Sequence, residues 1–288
     1  MRASFSPSSR RPTRWLRENT TMKEPTITGK TRVHFLIGSP IAQVLAPGWL
    51  TERMRKAGYD GILVPLHIEK DNLASALPVL KTMPNVDSIL ITLPHKFGAS
   101  AFCDRLSDRA KVLGAINAMR REKDGSWFGD NFDGAGLITG ILKAGHPIGG
   151  KSVFMVGAGG AGSSIAVSVL EEGARHLTFH DINKANQQAL LEKLNGAYPG
   201  RVSVSTTVPK DCDIVLNATS AGMKATDPLP VDASQLSANM VAADVITDPV
   251  PTRFLQEAAQ IGCLTRDGTH MLDGQIELLF EFMLANAG

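Results

Sequence analysis

The sequence contains few cysteines and no long hydrophobic run. Its 288 residues include three cysteines, Cys103, Cys212 and Cys263, and they lie too far apart for the paired spacing of a disulfide framework or a zinc site. We therefore expect a reducing compartment, most simply the cytoplasm. No apolar stretch approaches the roughly 20 residues that span a bilayer, so no membrane partner is predicted.

Basic residues are also not concentrated in the body of the chain. The formal net charge is +2, but residues 1–21 hold five arginines against one glutamate, which leaves 25 basic and 27 acidic residues in the remainder. Because nucleic-acid binding needs clustered lysine and arginine, no nucleic-acid partner is predicted. Residues 1–21 superficially resemble a transit peptide, and we expect them to be a disordered tail before a domain that starts at Met22.

Metal-ligand spacing is missing as well. His176 and His180 lie four residues apart on a predicted strand, and no carboxylate or cysteine completes a ligand set around them. A zinc or other transition-metal site needs three or four such ligands. The sequence therefore predicts no metal.

What the chain does have is an alternation of short apolar runs and longer helix-like segments. One series covers 31–92, a Gly/Asp-rich connector follows at 127–136 with a predicted helix at 137–145, and a second series covers 151–246 before two final helices. Strand and helix in alternation predict parallel strands with helical crossovers. With 288 residues, this indicates an α/β protein of two domains.

The second series opens with a glycine motif. Gly157, Gly159 and Gly162 form G-x-G-x-x-G directly after a predicted strand and at the start of a predicted helix. In that context the glycines allow a tight turn, approach of a pyrophosphate and close helix packing. An ordinary tight turn is the alternative. The motif predicts a Rossmann-type domain that binds a dinucleotide.

Asp181 follows the next strand, nineteen residues after Gly162, and His180 and Asn183 flank it. A carboxylate there accepts hydrogen bonds from an adenosine ribose and repels a 2′-phosphate, which favours NAD over NADP. The alternative is a solvated turn residue, and Lys184 could partly offset the repulsion.

The first series ends one strand abruptly in "ITLPHK", which places Thr92 and Lys96 beyond its carboxyl end. Ligands of parallel α/β sheets bind at that edge. For any single lysine, an ordinary surface charge is the competing interpretation.

Seven segments together resemble the shikimate dehydrogenase family in order and spacing. They are "GSPIAQVLAP" (38–47), "ITLPHK" (91–96), "GAIN" (114–117), "GDNFDGAG" (129–136), "VGAGGAG" (156–162), "NATSAGM" (217–223) and "GTHMLDGQ" (268–275). The resemblance implies a substrate-binding domain at 22–132, completed by a helix at 268–288, and a Rossmann domain at 133–267. The active site is then expected in the cleft between them.

The resemblance also implies roles. Lys96 and Asp133 are the expected catalytic pair, while Thr92, Asn117 and Gln275 hold substrate hydroxyls. Oxidation of a secondary alcohol by hydride transfer requires removal of the hydroxyl proton, and the sequence leaves its division between Lys96 and Asp133 open. The expected cofactor contacts are Gly157, Ala158, Gly159, Gly160, Ala161, His180, Asp181, Asn183, Thr219, Ser220, Met223, Val245, Gly268 and Met271.

The sequence departs from the family where the substrate carboxylate should bind. Val44 and Ala46 stand where the family has two serines. A hydrogen bond to a charged group contributes about 1.5 to 3 kcal/mol, so losing both predicts a more than hundredfold loss of shikimate affinity. Phe132 and Thr247 replace a threonine and a tyrosine, and "DIN" at 181–183 replaces the NADP-binding Asn-Arg-Thr.

These features predict an NAD-dependent oxidoreductase that acts on a secondary alcohol of a shikimate-like cyclic hydroxy acid, with quinate and aminoshikimate as analogues and weak activity on shikimate. The alternative is an NAD-binding sensor or regulatory protein with little turnover. The apolar stripe at 277–284 is expected to pack inside the chain, although a homodimer contact there is left open.

Overall fold

The computed structural model describes residues 27–286. The predicted disordered tail, residues 1–21, lies outside this range. The strands are β1 Arg32–Gly38, β2 Gly61–His67, β3 Val86–Ile91, β4 Arg105–Leu106, β5 Ala118–Arg121, β6 Trp127–Asp130, β7 Ser152–Val156, β8 His176–His180, β9 Val202–Val204, β10 Ile214–Asn217, β11 Val241–Asp244 and β12 Leu264–Arg266. The helices are α1 Ala46–Lys56, α2 Leu73–Thr82, α3 Asp108–Leu113, α4 Asp133–Lys143, α5 Gly160–Glu171, α6 Lys184–Ala197, α7 Arg253–Ile261 and α8 Gly268–Leu284.

The first sheet is mixed rather than fully parallel. Its order is β2-β1-β3-β5-β6-β4, with β1 parallel to both neighbours and β5 antiparallel to β3 and β6. The predicted connector at 127–136 is therefore partly wrong, because Trp127–Asp130 form β6. The turn between β5 and β6 contains Gly125 at φ +86°, which allows a short hairpin. This hairpin places the ends of β3 and β6 at the same edge of the sheet, with the start of β5 between them.

The second sheet confirms the predicted Rossmann-type arrangement. Its six strands run in the order β12-β11-β10-β7-β8-β9, and every adjacent pair is parallel. All five residues of β7 are buried, as expected for a strand covered by helices on both faces. The glycine motif follows β7 at the centre of the sheet, where the strand order reverses and ligands of such folds bind.

Helix α4 begins at Asp133, four residues before the predicted start. Two side chains satisfy the amides of its first turn: the Asp133 N–H donates to Asn131 Oδ1 at 3.1 Å and the Gly134 N–H donates to Ser164 Oγ at 2.8 Å. Ser164 lies 30 residues from Gly134 and so is not visible in the local pattern, and the glycines of this segment suggest a loop. Asp133 consequently stands in the first turn of a helix, where the dipole favours a negative charge.

Helix α8 packs its apolar stripe against the first half of the chain, as the sequence predicts. Ile276, Leu279 and Phe282 form one buried cluster with Leu50 and Met54 of α1. The terminal helix thus completes the core of the first sheet. The division at residues 132 and 268 stays a prediction. No helix among residues 27–286 is long and apolar enough to cross a membrane.

Candidate active site

Lys96 lies in the turn after β3, and the neighbouring histidine anchors that turn. His95 is buried, and its Nε2 lies 2.6 Å from the carbonyl oxygen of Ile68. Because a carbonyl only accepts, Nε2 carries the proton in this contact. The Lys96 carbonyl accepts from the Ile116 N–H at 2.9 Å. These two contacts fix the backbone around Lys96. Its ammonium group is directed at one acidic residue.

That residue is Asp133. Lys96 Nζ lies 2.6 Å from Asp133 Oδ2, and the two side chains are 22% and 19% exposed. An ion pair of this kind, partly withdrawn from water, is less screened than a surface pair. The pair is open enough for a ligand to reach it and enclosed enough to hold its geometry.

Two amides hold the other oxygen of the same carboxylate. Asn117 Nδ2 and Gln275 Nε2 each donate to Asp133 Oδ1 at 2.9 Å, and Asn117 Oδ1 accepts from the Phe132 N–H at 2.9 Å. The structure therefore brings together four of the predicted residues from four separate elements. Thr92 lines a cavity that opens beside Lys96 and Asp133.

A cavity of about 350 Å³ opens on one side of the Lys96–Asp133 pair. Its walls come from β1, α1 and the loop before it, β3, and α8. The lining residues are Leu36, Gln43, Val44, Leu45, Ala46, Trp49, Leu90, Ile91, Thr92, Lys96, Asn117, Asp133, Leu272, Gln275, Ile276 and Leu279. Lys96 is the one cationic side chain among these residues, and the amides of Asn117 and Gln275 meet at the carboxylate with which it pairs.

Val44 and Ala46 form part of the wall around the first turn of α1. Both pack against the apolar cluster that includes Leu36 and Ile276. No side chain caps this helix, and Pro47 occupies its first turn. The two positions where the family offers hydroxyl donors are therefore hydrocarbon here. Phe132 is buried in the same apolar cluster and does not line the cavity; its ring packs edge-on against Phe282 at 5.1 Å.

A second cavity, of about 560 Å³, opens on the other side of the pair. It is lined by Leu93, Lys96, Phe97, Leu113, Ala115, Asn131, Asp133, Ala158, Gly159, Gly160, Ala161, Ser163, Ser164, Asn186, Lys193 and Met271. Lys96 and Asp133 are the two residues that line both cavities. A molecule in each cavity would meet the other at this pair.

The glycine loop gives the second cavity the properties of a dinucleotide site. Gly157 has φ +108°, and a Cβ on Gly162 would lie 2.2 Å from the Gly157 carbonyl oxygen, so larger residues fit neither position. A Cβ on Gly159 would meet nothing within 4 Å, which leaves open space beside the backbone. Helix α5 begins at Gly160 with no side-chain cap, so its amides face that space, as phosphate binding requires.

Asp181 lies at the end of β8 beside this loop. Its Oδ2 accepts from the Ala158 N–H at 2.5 Å and its Oδ1 accepts from the Asn183 N–H at 2.7 Å. Lys184 Nζ donates to the Asp181 backbone carbonyl at 3.2 Å, and no ion pair between Lys184 and the Asp181 carboxylate occurs among the described residues. The carboxylate is thus held against the loop that a dinucleotide would occupy.

Comparison with known proteins agrees with this geometry. The family model for the shikimate dehydrogenase substrate binding domain matches residues 36–119. The shikimate dehydrogenase (NADP(+)) of Rubrobacter xylanophilus is 31% identical over 265 residues, 90% of this chain and 91% of that relative.

The chain belongs to the shikimate dehydrogenase family.

Two solved structures show the same fold. The shikimate 5-dehydrogenase of Listeria monocytogenes, in complex with shikimate and NAD, is 27% identical with a TM-score of 0.84, covering 90% of this chain and 94% of that one. The ligand-free 5-ketofructose reductase of a Gluconobacter strain is 29% identical with a TM-score of 0.81, covering 89% and 94%. As a member of this family, the chain is an alcohol-type dehydrogenase that uses a nicotinamide cofactor. The alternative of a regulatory protein without turnover is not favoured.

Several predicted cofactor residues of this family member do not line the second cavity. Thr219 is a neighbour of Gly157, where a Cβ would lie 2.8 Å from Thr219 Cγ2. Ser220 and Met223 follow it and are exposed. Gly268, at the start of α8, packs against Val245, since a Cβ there would lie 2.3 Å from the Val245 carbonyl oxygen.

A buried aspartate holds the loop that carries Thr219. Asp244, at the end of β11, accepts from Asn217 Nδ2 at 3.1 Å and from Thr252 Oγ1 at 2.8 Å. Burial raises the pKa of Asp244 above its usual range, while these donors oppose the shift. The strand ends β10 and β11 are thereby tied together beside the dinucleotide loop.

Sequence reasoning missed several residues of the two cavities. Trp49 and Leu272 line the substrate side, while Phe97, Asn131 and Ser164 line the cofactor side. The apolar residues carry no local signal, because in the sequence an apolar residue on a cavity wall looks the same as any other partly exposed apolar residue. Asn131 could have been found from its place two residues before Asp133 in the same segment.

Proposed function

We propose that the protein is an NAD-preferring dehydrogenase that transfers a hydride between the cofactor and a secondary alcohol of a shikimate-like cyclic hydroxy acid, with weak activity on shikimate itself. The observation that carries the proposal is the Lys96–Asp133 pair, which lies where the two cavities meet. A nicotinamide, when bound, exchanges a hydride with carbon.

The chain's own groups handle the proton. In alcohol oxidation the amine form of Lys96 accepts the proton of the substrate hydroxyl at Nζ, and in the reverse reaction the ammonium form returns it. Asp133, fixed by Asn117 and Gln275, orients the Nζ group. Amide and hydroxyl groups of Thr92, Asn117 and Gln275 bind the neighbouring hydroxyls of the ring. Proton transfer by a positioned side chain typically contributes 10²–10⁴-fold to such a rate.

The NAD preference rests on Asp181. Its carboxylate is held beside the glycine loop by two backbone amides, where a ribose 2′-hydroxyl can donate to it and a 2′-phosphate is repelled. Ile182, the next residue, is 91% exposed and offers no charge to a phosphate. The relative described above is named for NADP(+), so the proposed NAD preference distinguishes this chain from that relative.

Weak activity on shikimate follows from the hydrocarbon wall at Val44 and Ala46. A carboxylate directed there gains no hydroxyl donor from these two positions. The same wall favours a second candidate substrate, a neutral polyhydroxylated ketone, because such a molecule presents no charge to it. The 5-ketofructose reductase, a structural relative, is named for a ketone of this kind.

We also propose a cytoplasmic location, since all three cysteines are free, and retain a homodimer as an open prediction. The apolar stripe of α8 packs within the chain, so a dimer would use another surface.

The experiment is NAD reduction at 340 nm with shikimate, quinate and aminoshikimate, each repeated with NADP, and NADH oxidation with 5-ketofructose. We expect saturable turnover with NAD on at least one compound. Among the three acids, shikimate should have the lowest kcat/KM. A higher specificity constant with NADP would refute the cofactor preference. No turnover on any compound, with NAD binding confirmed by calorimetry, would refute the dehydrogenase.

A further inference from the structure

A buried hydrogen-bond network joins the dinucleotide-binding helix to the segment that carries Asp133. Ser164 lies one turn into α5 and is 3% exposed. Its Oγ–H donates to Asn131 Oδ1 at 2.9 Å, and its oxygen accepts from the Gly134 N–H at 2.8 Å. Asn131 Oδ1 accepts in turn from the Asp133 N–H at 3.1 Å. One hydroxyl thus fixes the backbone on both sides of Asp133.

The two elements are also in direct van der Waals contact at this point. A Cβ on Gly134 would lie 2.1 Å from the Ser164 carbonyl oxygen, so the absence of a side chain lets the start of α4 lie against α5. Asn131 and Ser164 both line the cofactor cavity. The network therefore lies beside the space for the dinucleotide, and Asp133 separates it from the substrate cavity.

Helix α5 is the element that a bound dinucleotide would order most directly, since its uncapped N-terminus faces the open space beside Gly159. Ordering of this helix restricts Ser164, and a restricted Ser164 restricts Asn131 and the first turn of α4. A displacement of about 1 Å in a catalytic group can cost 10²-fold in rate, so such a restraint affects catalysis.

We propose that Ser164 is a positioning residue through which a bound dinucleotide fixes the backbone of Asp133 and, with it, the Lys96–Asp133 pair. This inference rests on the proposed function for the role of Asp133. It adds that cofactor binding precedes the assembly of a competent proton-transfer pair, so that the substrate side is completed from the cofactor side.

Hydrogen–deuterium exchange tests the coupling without any substrate. In the full chain, we expect saturating NAD to slow exchange in the peptide 131–137 at least fivefold. In Ser164→Ala, calorimetry should give an NAD dissociation constant within about threefold of the original, while the slowing disappears. Ser168→Ala is the matched control, because Ser168 is buried one turn further along α5 and its side chain makes no hydrogen bond to Asn131 or Gly134 within residues 27–286. This variant should keep the slowing.

Kinetics give a second readout with whichever substrate is turned over. Ser164→Ala should lower kcat about tenfold and leave the KM for NAD within about twofold. If Ser164→Ala folds poorly, Ser164→Cys keeps the volume with a weak donor and acceptor and should also lose the slowing.

The proposal is overturned if NAD slows the peptide equally in Ser164→Ala, if NAD leaves it unchanged in the original chain, or if the variant loses NAD binding itself. A chain without turnover would refute the proposed function and leave the exchange test in force.

Discussion

The two cavities that meet at Lys96 and Asp133 differ in how much of their walls is backbone and how much is side chain. One wall of the cofactor cavity is backbone: the glycine loop at 158–161 lines it, and the amides at the start of α5 face its space. The substrate cavity is shaped by side chains from separate elements, and one of its walls is hydrocarbon at Val44 and Ala46. Backbone recognition is tied to the fold, whereas side-chain recognition can change at single positions while the fold is kept.

This difference explains how the family's chemistry can be kept with altered substrate recognition. The Lys96–Asp133 pair lines both cavities, and its two amide partners line the substrate cavity, so the pair serves any alcohol that reaches it. Val44 and Ala46 touch only the substrate side. Three predictions test whether catalysis, substrate recognition and cofactor recognition can be changed separately, and a fourth compares the two halves of the chain in acid.

The largest effect is expected at the pair itself. Lys96→Ala should lower kcat about 10³-fold, because proton transfer to and from the substrate oxygen loses its side chain. NAD binding, measured by calorimetry, should stay within about threefold. Lys111→Ala is the control, since Lys111 is exposed and pairs with Asp108; its kcat should not change. A Lys96→Ala protein with near-normal kcat would contradict the assigned chemistry.

The next effect is expected on the substrate side alone. The double variant Val44→Ser, Ala46→Ser restores the family's two donors, each able to contribute about 1.5 to 3 kcal/mol to a charged group. The kcat/KM for shikimate should rise about 100-fold, while the KM for NAD stays unchanged. Val44→Thr alone separates one donor from two. No gain for shikimate would show that another feature of the cavity excludes the acid.

A smaller effect is expected on the cofactor side alone. Asp181→Asn with Ile182→Arg removes the carboxylate and places a cation at an exposed position. The ratio of kcat/KM for NADP to that for NAD should rise about 30-fold, because the 2′-phosphate is no longer repelled and gains a partner. Ile182→Gln controls for the change of side chain. Altered shikimate specificity in this variant would break the independence of the two sides.

Features with a local sequence signal could be predicted, and features that depend on distant residues could not. The glycine loop and Asp181 were predictable because their signal is local: a motif directly between a strand and a helix. Lys96 and Asp133 became candidates through resemblance to a family. The β5–β6 hairpin was missed because Gly125 and its acidic neighbours are typical of a connector.

The contact between Asn131 and Ser164 could not be predicted at all. The residues lie 33 positions apart and meet only because Gly134 lets α4 approach α5. The early start of α4 has partly the same cause, since the Gly134 N–H in its first turn is satisfied by Ser164, 30 residues away. Such partnerships depend on tertiary packing, which local pattern does not carry.

The smallest effect distinguishes the two halves by their stability in acid. Burial lowers the pKa of His34, in β1, to about 4, whereas the unfolded chain takes up this proton near pH 6.5. The contribution of this neutral histidine to the free energy of unfolding is therefore fully present above pH 6.5, and it is lost as the pH drops from 6.5 toward 4.

We expect a loss of about 2 kcal/mol between pH 7 and pH 5 from this group. Urea unfolding followed by tryptophan fluorescence measures it, because Trp49 and Trp127 both lie in the first half of the chain. His34→Gln should remove that part of the pH dependence, and His67→Gln, at an exposed position, should leave it. Equal pH dependence in His34→Gln would contradict the assignment.

The central claim is that cofactor and substrate react where the two cavities meet. A crystal structure with NADH and the best substrate or its ketone tests it most directly. We expect the nicotinamide C4 to lie about 3.5 Å from the reacting carbon and the substrate oxygen to lie within hydrogen-bond distance of Lys96 Nζ. A reacting carbon placed away from Lys96 and Asp133, with its oxygen held by other groups, would contradict it.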